Sequence, residues 1–253
     1  MGIKKEITIG ECRLILGDCL EVLPLLGKVD MVLVDMPYGT TACKWDTVLP
    51  LDKIWESLNS VVKPNGAIVM TAAQPFTTTL IASNMDMFKY CWTWEKNKST
   101  GFLNAKKQPL RATEDLVVFY KNQATYNPQK TTGHKPVNSF TKNTSDGETL
   151  GKTLLGVKGG GQTDRYPKNI LKTSVVNNDN SNGDKLHPTQ KPVELMEYLI
   201  KTYTEKGDTV LDFTMGSGTT MVACDNLGRK GIGVELDENY FNIAVKRLQD
   251  NQL

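Results

Sequence analysis

Histidine is scarce in this chain, and cysteine is present without pattern. Two histidines, His134 and His187, among 253 residues are too few for a histidine-rich metal site. The five cysteines (Cys12, Cys19, Cys43, Cys91 and Cys224) are odd in number and never spaced as CxxC. That argues against a disulfide framework and a zinc site, and suits a reducing cytoplasm. No apolar run is long enough to span a membrane. The opening MGIKKEITIG has no signal-peptide core, and Glu6 stands where the myristoylation pattern needs Ser or Thr. Two nucleotide signatures are also missing. Gly218 is followed by Thr219 rather than by the lysine of a phosphate-binding loop, and Gly216-Ser217-Gly218-Thr219-Thr220-Met221 lacks the third glycine of GxGxxG.

What remains is an ordinary globular composition, 39% hydrophobic and 23% charged, in a chain long enough for one elaborated domain over 1–253. The net charge of +2 conceals an asymmetry. Residues 89–172 carry 15 Lys and Arg against 6 Asp and Glu, whereas the remainder carries 15 against 22. A basic middle on an acidic scaffold fits a polyanionic partner, and equally a lysine-rich solvated loop.

Apolar patterning predicts strands at 7–9, 13–16, 30–35, 67–71, 90–94, 116–120, 209–213 and 231–235. Helical spacing predicts helices at 51–62, 76–83, 193–202, 219–227 and 238–250, and Val61-Val62-Lys63-Pro64-Asn65-Gly66 reads as a helix stop and turn. Strands alternating with helices imply an α/β fold, a doubly wound and mainly parallel sheet. Tyr90, Trp92 and Trp94 alternate on one strand face as core residues do. Between 122 and 185 the pattern dissolves into Asn, Thr, Ser, Gly and Lys, including GVKGGGQT. An irregular stretch of that length inside one domain points to function or mobility rather than filler.

Two stretches carry chemistry. KVDMVLV leads into Asp35-Met36-Pro37-Tyr38-Gly39, an acid, a stiff backbone and an aromatic at the end of a buried strand. TVLDFTMGSGTTMVACDNLGRKGIGVELD, residues 209–237, reads as strand, glycine turn, helix and strand ending on an acid. Gly216 and Gly218 allow a tight turn and close ligand approach, the helix opening at Thr219 offers free N–H groups, and Glu235 can accept from ribose hydroxyls. A purely structural glycine turn is the competing reading.

Together these stretches resemble the β group of S-adenosylmethionine-dependent DNA amino-methyltransferases. Asp35-Met36-Pro37-Tyr38 is similar to their catalytic Asp-Pro-Pro-Tyr, and Asp212-Phe213-Thr214-Met215-Gly216-Ser217-Gly218 is similar to their Asp-Pro-Phe-x-Gly-Ser-Gly cofactor motif. The catalytic motif precedes the cofactor motif, the circularly permuted order of that group. The resemblance implies a Rossmann-like methyltransferase sheet with an antiparallel hairpin, to which the stretch 101–121 is similar. It places Asp18 and Cys19 near the cofactor adenine, and Thr189 and Lys191 of His187-Pro188-Thr189-Gln190-Lys191-Pro192 near the methionine end. It implies Asp212, Phe213, Gly216, Gly218, Thr219 and Glu235 as further cofactor residues, and Asp35, Pro37 and Tyr38 as catalytic ones. Residues 122–185 fall where this family carries target recognition. Met36 replaces a proline and Phe213-Thr214 replaces Pro-Phe, which leaves open the aromatic that lies against adenine.

The chemistry follows from the substrate. An exocyclic base amine is a poor nucleophile, so Asp35 and a backbone carbonyl near Met36–Pro37 would accept its two protons and turn its lone pair toward the methyl group. Tyr38 offers a face for a base flipped out of double-stranded DNA. In the family, aspartate in the first position is usual for adenine N6 and serine for cytosine N4. The cysteine nucleophile of the C5-cytosine enzymes has no counterpart, since there is no Pro-Cys dipeptide. Methylation of cytosine N4, of RNA or of a protein amide, and a DNA-binding relative that has lost catalysis, remain the alternatives. Lys106, Lys107 and Arg111 form a cluster able to contact phosphates, or a solvated loop. Arg165 is able to read guanine edges or to serve structure. Trp45 and Asp46 are able to line the target pocket. A homodimer and a cytoplasmic location, in a bacterial cell or phage-infected host, are expected from the resemblance.

Overall fold

The computed structural model describes residues 2–39, 47–141, 146–147, 151–152, 156–173 and 190–252. It forms two units, Met1–Asn127 with Asn169–Leu253, and Pro128–Lys168. The larger unit begins β1 (Ile3–Ile9), β2 (Cys12–Gly17), α1 (Cys19–Val22), β3 (Val29–Val34), α2 (Leu51–Val61), β4 (Val62–Ala72), α3 (Phe76–Ala82), β5 (Phe88–Thr100) and β6 (Arg111–Phe119). The smaller unit holds the two-residue strands β7 (Phe140–Thr141), β8 (Asp146–Gly147), β9 (Gly151–Lys152) and β10 (Lys158–Gly159). The larger unit resumes with β11 (Ile170–Thr173), α4 (Val193–Tyr203), β12 (Thr209–Asp212), α5 (Thr219–Leu227), β13 (Lys230–Glu235) and α6 (Glu238–Asn251).

The main sheet has the order β1-β2-β13-β12-β3-β4-β6-β5-β11. Five central strands, β2 to β4 in that order, are parallel. β6 runs antiparallel between β4 and β5, and β1 closes the far edge antiparallel to β2. Strand β3 shows why the centre is stable. Met31 and Leu33 face one core cluster with α4, α5 and α6, while Val32 and Val34 face the other with α1, α2 and α3. A strand buried on both faces reads as a continuous apolar run, as this one does. Helix α2 buries Ile54, Trp55, Leu58 and Val61, one stripe at helical spacing.

The eight predicted strands and five predicted helices all appear, with ends shifted by a few residues. Trp92 and Trp94 are buried in the core, with Tyr90 packed against it. The turn at 63–66 interrupts β4: Val62 pairs with Val29, but Ala67 already pairs with Met31. The irregular stretch is more structured than its composition suggests. Asn127 N–H donates to Thr202 O at 2.7 Å, and β11 adds a parallel edge strand to β5 with only Leu171 buried. One buried residue in four gives no readable period, and the contacts that hold Asn127 are polar and distant in sequence.

The single polar residue inside β3, Asp30, joins three strands. Its Oδ1 lies 2.6 Å from Lys63 Nζ in the interrupted part of β4, and its Oδ2 accepts from Thr209 N–H at 3.0 Å at the start of β12. Asp30→Ala leaves that backbone donor without its partner and is expected to cost about 1–3 kcal/mol. Urea unfolding is the measurement; a change inside experimental error would show that water replaces the carboxylate without penalty.

Candidate active site

β3 and β12 are parallel neighbours, yet the chain leaves them in opposite directions. From β3 it crosses by α2 to β4 on one side, and from β12 it crosses by α5 to β13 on the other. The two helices therefore cover opposite faces, and a crevice opens beyond the carboxyl ends of the two strands. A cavity of about 1000 Å³ lies there, lined wholly by residues of the larger unit.

Asp35, Pro37 and Tyr38, which follow β3, line this cavity. So do Asp18, Cys19, Asp212, Phe213, Gly216, Thr219 and Glu235, expected around a cofactor, together with Lys191 and Arg111. Thr189, His187, Pro188, Trp45 and Asp46 lie outside the described residues.

Asp35 is held on every side. Its Oδ1 accepts from the Tyr38 hydroxyl at 2.8 Å and from the Thr71 hydroxyl, and its Oδ2 lies 2.8 Å from Lys191 Nζ. Its backbone carbonyl accepts from Thr214 Oγ1 at 3.1 Å, which ties the catalytic loop to the loop after β12. Lys191 was expected at the methionine end of a cofactor. Its ammonium lines the cavity and bridges two acids, Asp35 and Glu114 Oε2, the latter at 3.4 Å. Glu114 Oε1 in turn pairs with buried Lys96 at 3.1 Å. Burial opposes the charge on Lys191, but the Asp35 and Glu114 carboxylates outweigh it and hold the ammonium above its ordinary range. Burial, reinforced by Asp35 and Glu114, pushes Tyr38 well above the usual phenol range, so its hydroxyl stays a donor. The Tyr38 ring stacks on Phe76, centroids 5.4 Å apart and planes 19° apart, so one of its faces is already covered.

The other wall is built on backbone. Glu235 accepts from Gly216 N–H at 2.8 Å and from the N–H groups of Leu236 and Asp237 at 2.9 Å each. Burial nevertheless raises its pKa, the three donors opposing. Asp212 is buried, which pushes it up to about 7 against the hydrogen bonds from Thr220 and Thr214 N–H. Gly216 turns at φ 52, a conformation that glycine takes without strain. Arg247 reaches across from α6 to donate to Ser217 O at 3.1 Å and Thr219 Oγ1 at 2.9 Å, fixing the turn from behind.

Other candidate residues have structural roles of their own. Gly218 does not line the cavity: at φ 78 it caps α5, and a Cβ there would stand 2.9 Å from Ala244 Cβ of α6, so its smallness serves helix packing. Phe213 lines the cavity and, at 1% exposed, also belongs to the core cluster beneath it. Asp18 uses its side chain to cap α1 through Leu20 N–H at 2.9 Å. Arg165 does not present its fork to a base: its terminal nitrogens donate to the carbonyls of Gln162, Asp164 and Lys135 and so brace the smaller unit. Lys106 and Lys107 are exposed in the turn between β5 and β6, whereas Arg111 reaches the cavity rim. Thr71, Phe76, Lys96, Glu114 and Arg247 were missed. Thr71 interrupts the apolar run of β4, the one signal that singles it out, whereas Glu114 sits in the polar first half of β6 with nothing to mark it.

The pattern of the DNA methylase family, of the N6 and N4 type, matches residues 29–246, and the chain belongs to that family. Type II methyltransferase M.HpaI of Haemophilus parainfluenzae is 28% identical over 251 residues, covering 93% of this chain and 74% of that protein. Among solved structures, the M1.HpyAVI–SAM complex is 24% identical, with TM-score 0.61 over 94% of this chain and 98% of that one. The cytosine-N4-specific PvuII DNA methyltransferase is 17% identical, with TM-score 0.69 over 99% and 95%. These structures share the permuted methyltransferase sheet.

Removing the bridging ammonium should expose its role. Lys191→Met leaves Asp35 and Glu114 without their shared cation, at a cost of about 3–5 kcal/mol near neutral pH. Because Lys191 is raised in the folded protein, its contribution is complete below the ordinary lysine range and is lost only as pH rises through the raised value. Urea unfolding near neutral pH measures that deficit; a change inside experimental error would show that the ammonium does not balance these acids.

Proposed function

We propose that this chain is a sequence-specific DNA methyltransferase that moves a methyl group from S-adenosylmethionine to N6 of an adenine flipped out of the duplex. One observation carries the reading: Asp35, fixed from three directions at the end of β3, shares a single cavity with the glycine turn and acid of β12 and β13. S-adenosylmethionine supplies an electrophilic sulfonium methyl when bound. The residues fit it. Glu235, its carboxylate already set by backbone donors, would take the ribose hydroxyls, and buried Asp212 would face the cationic end.

Lys191, Thr71 and Tyr38 fix the direction of the Asp35 oxygens before any base arrives. The carboxylate and a backbone carbonyl at Met36–Pro37 accept the two amine protons, leaving the nitrogen lone pair free for in-line attack. Asp35, with a cation and two hydroxyls on it, orients the amine through a hydrogen bond, and the proton released after transfer leaves to solvent. The Tyr38 ring, with Phe76 stacked on it and Lys191 Nζ 5.7 Å from its centroid, is the aromatic against which the flipped ring packs. Aspartate rather than serine at position 35 supports adenine over cytosine. Residues 122–185, with the compact unit Pro128–Lys168 inside them, are assigned to target recognition.

Methylation-aware sequencing of DNA from expressing cells should show N6-methyladenine at one sequence; N4-methylcytosine instead would reverse the choice of base. Asp35→Ala should abolish transfer while calorimetry still detects S-adenosylmethionine binding. Near-normal turnover by that variant would refute its role. Exchanging residues 122–185 for the corresponding part of another family member should change the sequence methylated, with cofactor affinity unaltered. Retention of the original sequence would move recognition to the larger unit.

A further inference from the structure

The turn between β5 and β6 presents two large apolar side chains to solvent. Phe102 is 82% exposed and Leu103 is 98% exposed. The turn is nonetheless a built structure. Gly101 at φ 87 opens a 3-10 turn over Phe102–Asn104, and Asn104 O accepts from Lys107 N–H at 2.8 Å and Gln108 N–H at 3.0 Å. Among the described residues nothing covers Phe102 and Leu103, so this turn holds two large apolar side chains outward at a cost to the isolated chain.

Charge and position identify what would cover them. Between Lys96 and Thr113 there is no acid, but there are Lys98, Lys106, Lys107 and Arg111. Thr100 and Arg111 pair across the base of the turn, and both line the catalytic cavity. Arg111 also lines a shallower cleft of about 530 Å³ with Gln74, Pro75, Gln108 and Pro109. The apolar tip thus rises beside the mouth that must admit a base, ringed by cations. A two-fold contact with a second copy through this turn would set lysines against lysines.

We propose that Phe102 and Leu103 form a wedge that enters the base stack of duplex DNA and fills the gap left by the extruded base. Lys106, Lys107 and Arg111 hold the flanking phosphates. This rests on the DNA methyltransferase reading above and adds to it the element that performs extrusion. An apolar wedge between base steps stabilises a distorted duplex, and cations on the backbone position it without reading sequence.

The test uses the full-length chain and a duplex carrying the sequence found by methylation-aware sequencing. The double variant Phe102→Ala/Leu103→Ala should melt as the wild type does and bind S-adenosylmethionine equally well. Its methylation of the paired duplex should fall by about tenfold or more, the scale of a lost base-stacking contact. On a duplex whose target base stands opposite an abasic site, extrusion is already favoured, and the variant should recover to near the wild-type rate. With 2-aminopurine at the target position, the fluorescence rise on wild-type binding should be absent for the variant. Leu103→Asp, which puts an anion at the tip, should be the more impaired single variant beside Leu103→Ala. An equal loss on paired and abasic duplexes, an unchanged fluorescence rise, or a shift from dimer to monomer in sedimentation would each overturn the wedge. A wild-type protein that methylates no DNA would instead overturn the reading on which the wedge rests.

Discussion

The reversal of chain direction between β3 and β12 is the constraint on which the site depends. Two parallel strands pair side by side, but their crossover helices lie on opposite faces, so no helix closes the space above their carboxyl ends. Strand ends bring polar groups to that opening, Asp35 just past β3, Asp212 at the end of β12 and Glu235 at the end of β13, with Thr71 of β4 hydrogen-bonded to Asp35. The strands are rigid because both faces are buried, so the groups they deliver stay aimed. The permuted order of the two motifs leaves this intact, since packing depends on which strands are neighbours and not on which comes first.

Within the opening, charge is balanced in alternation. Asp35, Lys191, Glu114 and Lys96 form a chain of two acids and two lysines, mostly removed from water. Each charge would be costly alone. Joined, they fix the direction of the Asp35 carboxylate. The same pairing ties three otherwise separate pieces together: the end of β3, the hairpin β5–β6 and the segment just before α4. The catalytic acid and the hairpin that carries the exposed apolar turn are therefore parts of one rigid assembly.

The wall of the glycine turn is held by a different principle. Glu235 is set by three backbone N–H groups and the glycine turn by Arg247 from α6, so its geometry is fixed by main chain and one guanidinium rather than by a network of acids. The two walls can then serve two ligands of different charge. The smaller unit, Pro128–Lys168, is braced internally by Arg165 and by the Lys130–Asp164 pair at 2.8 Å. It leaves the core of the larger unit complete without it.

The sequence by itself determined the order and kind of the main elements, the two motifs and hence the pairing of a catalytic acid with a glycine turn. These are legible because buried strands and amphipathic helices write their environment into local apolar spacing, and because turns need glycine where φ is positive. Tertiary structure alone decided that Lys191 faces Asp35 across 156 positions of chain, that Glu114 and Thr71 join the Asp35 network, and that Gly218 packs closely against Ala244 of α6. It decided as well that Arg165 braces a loop and that Phe102 and Leu103 stand uncovered. Charge pairing and close packing act between residues distant in sequence. No periodicity records them, and only the folded chain brings them together.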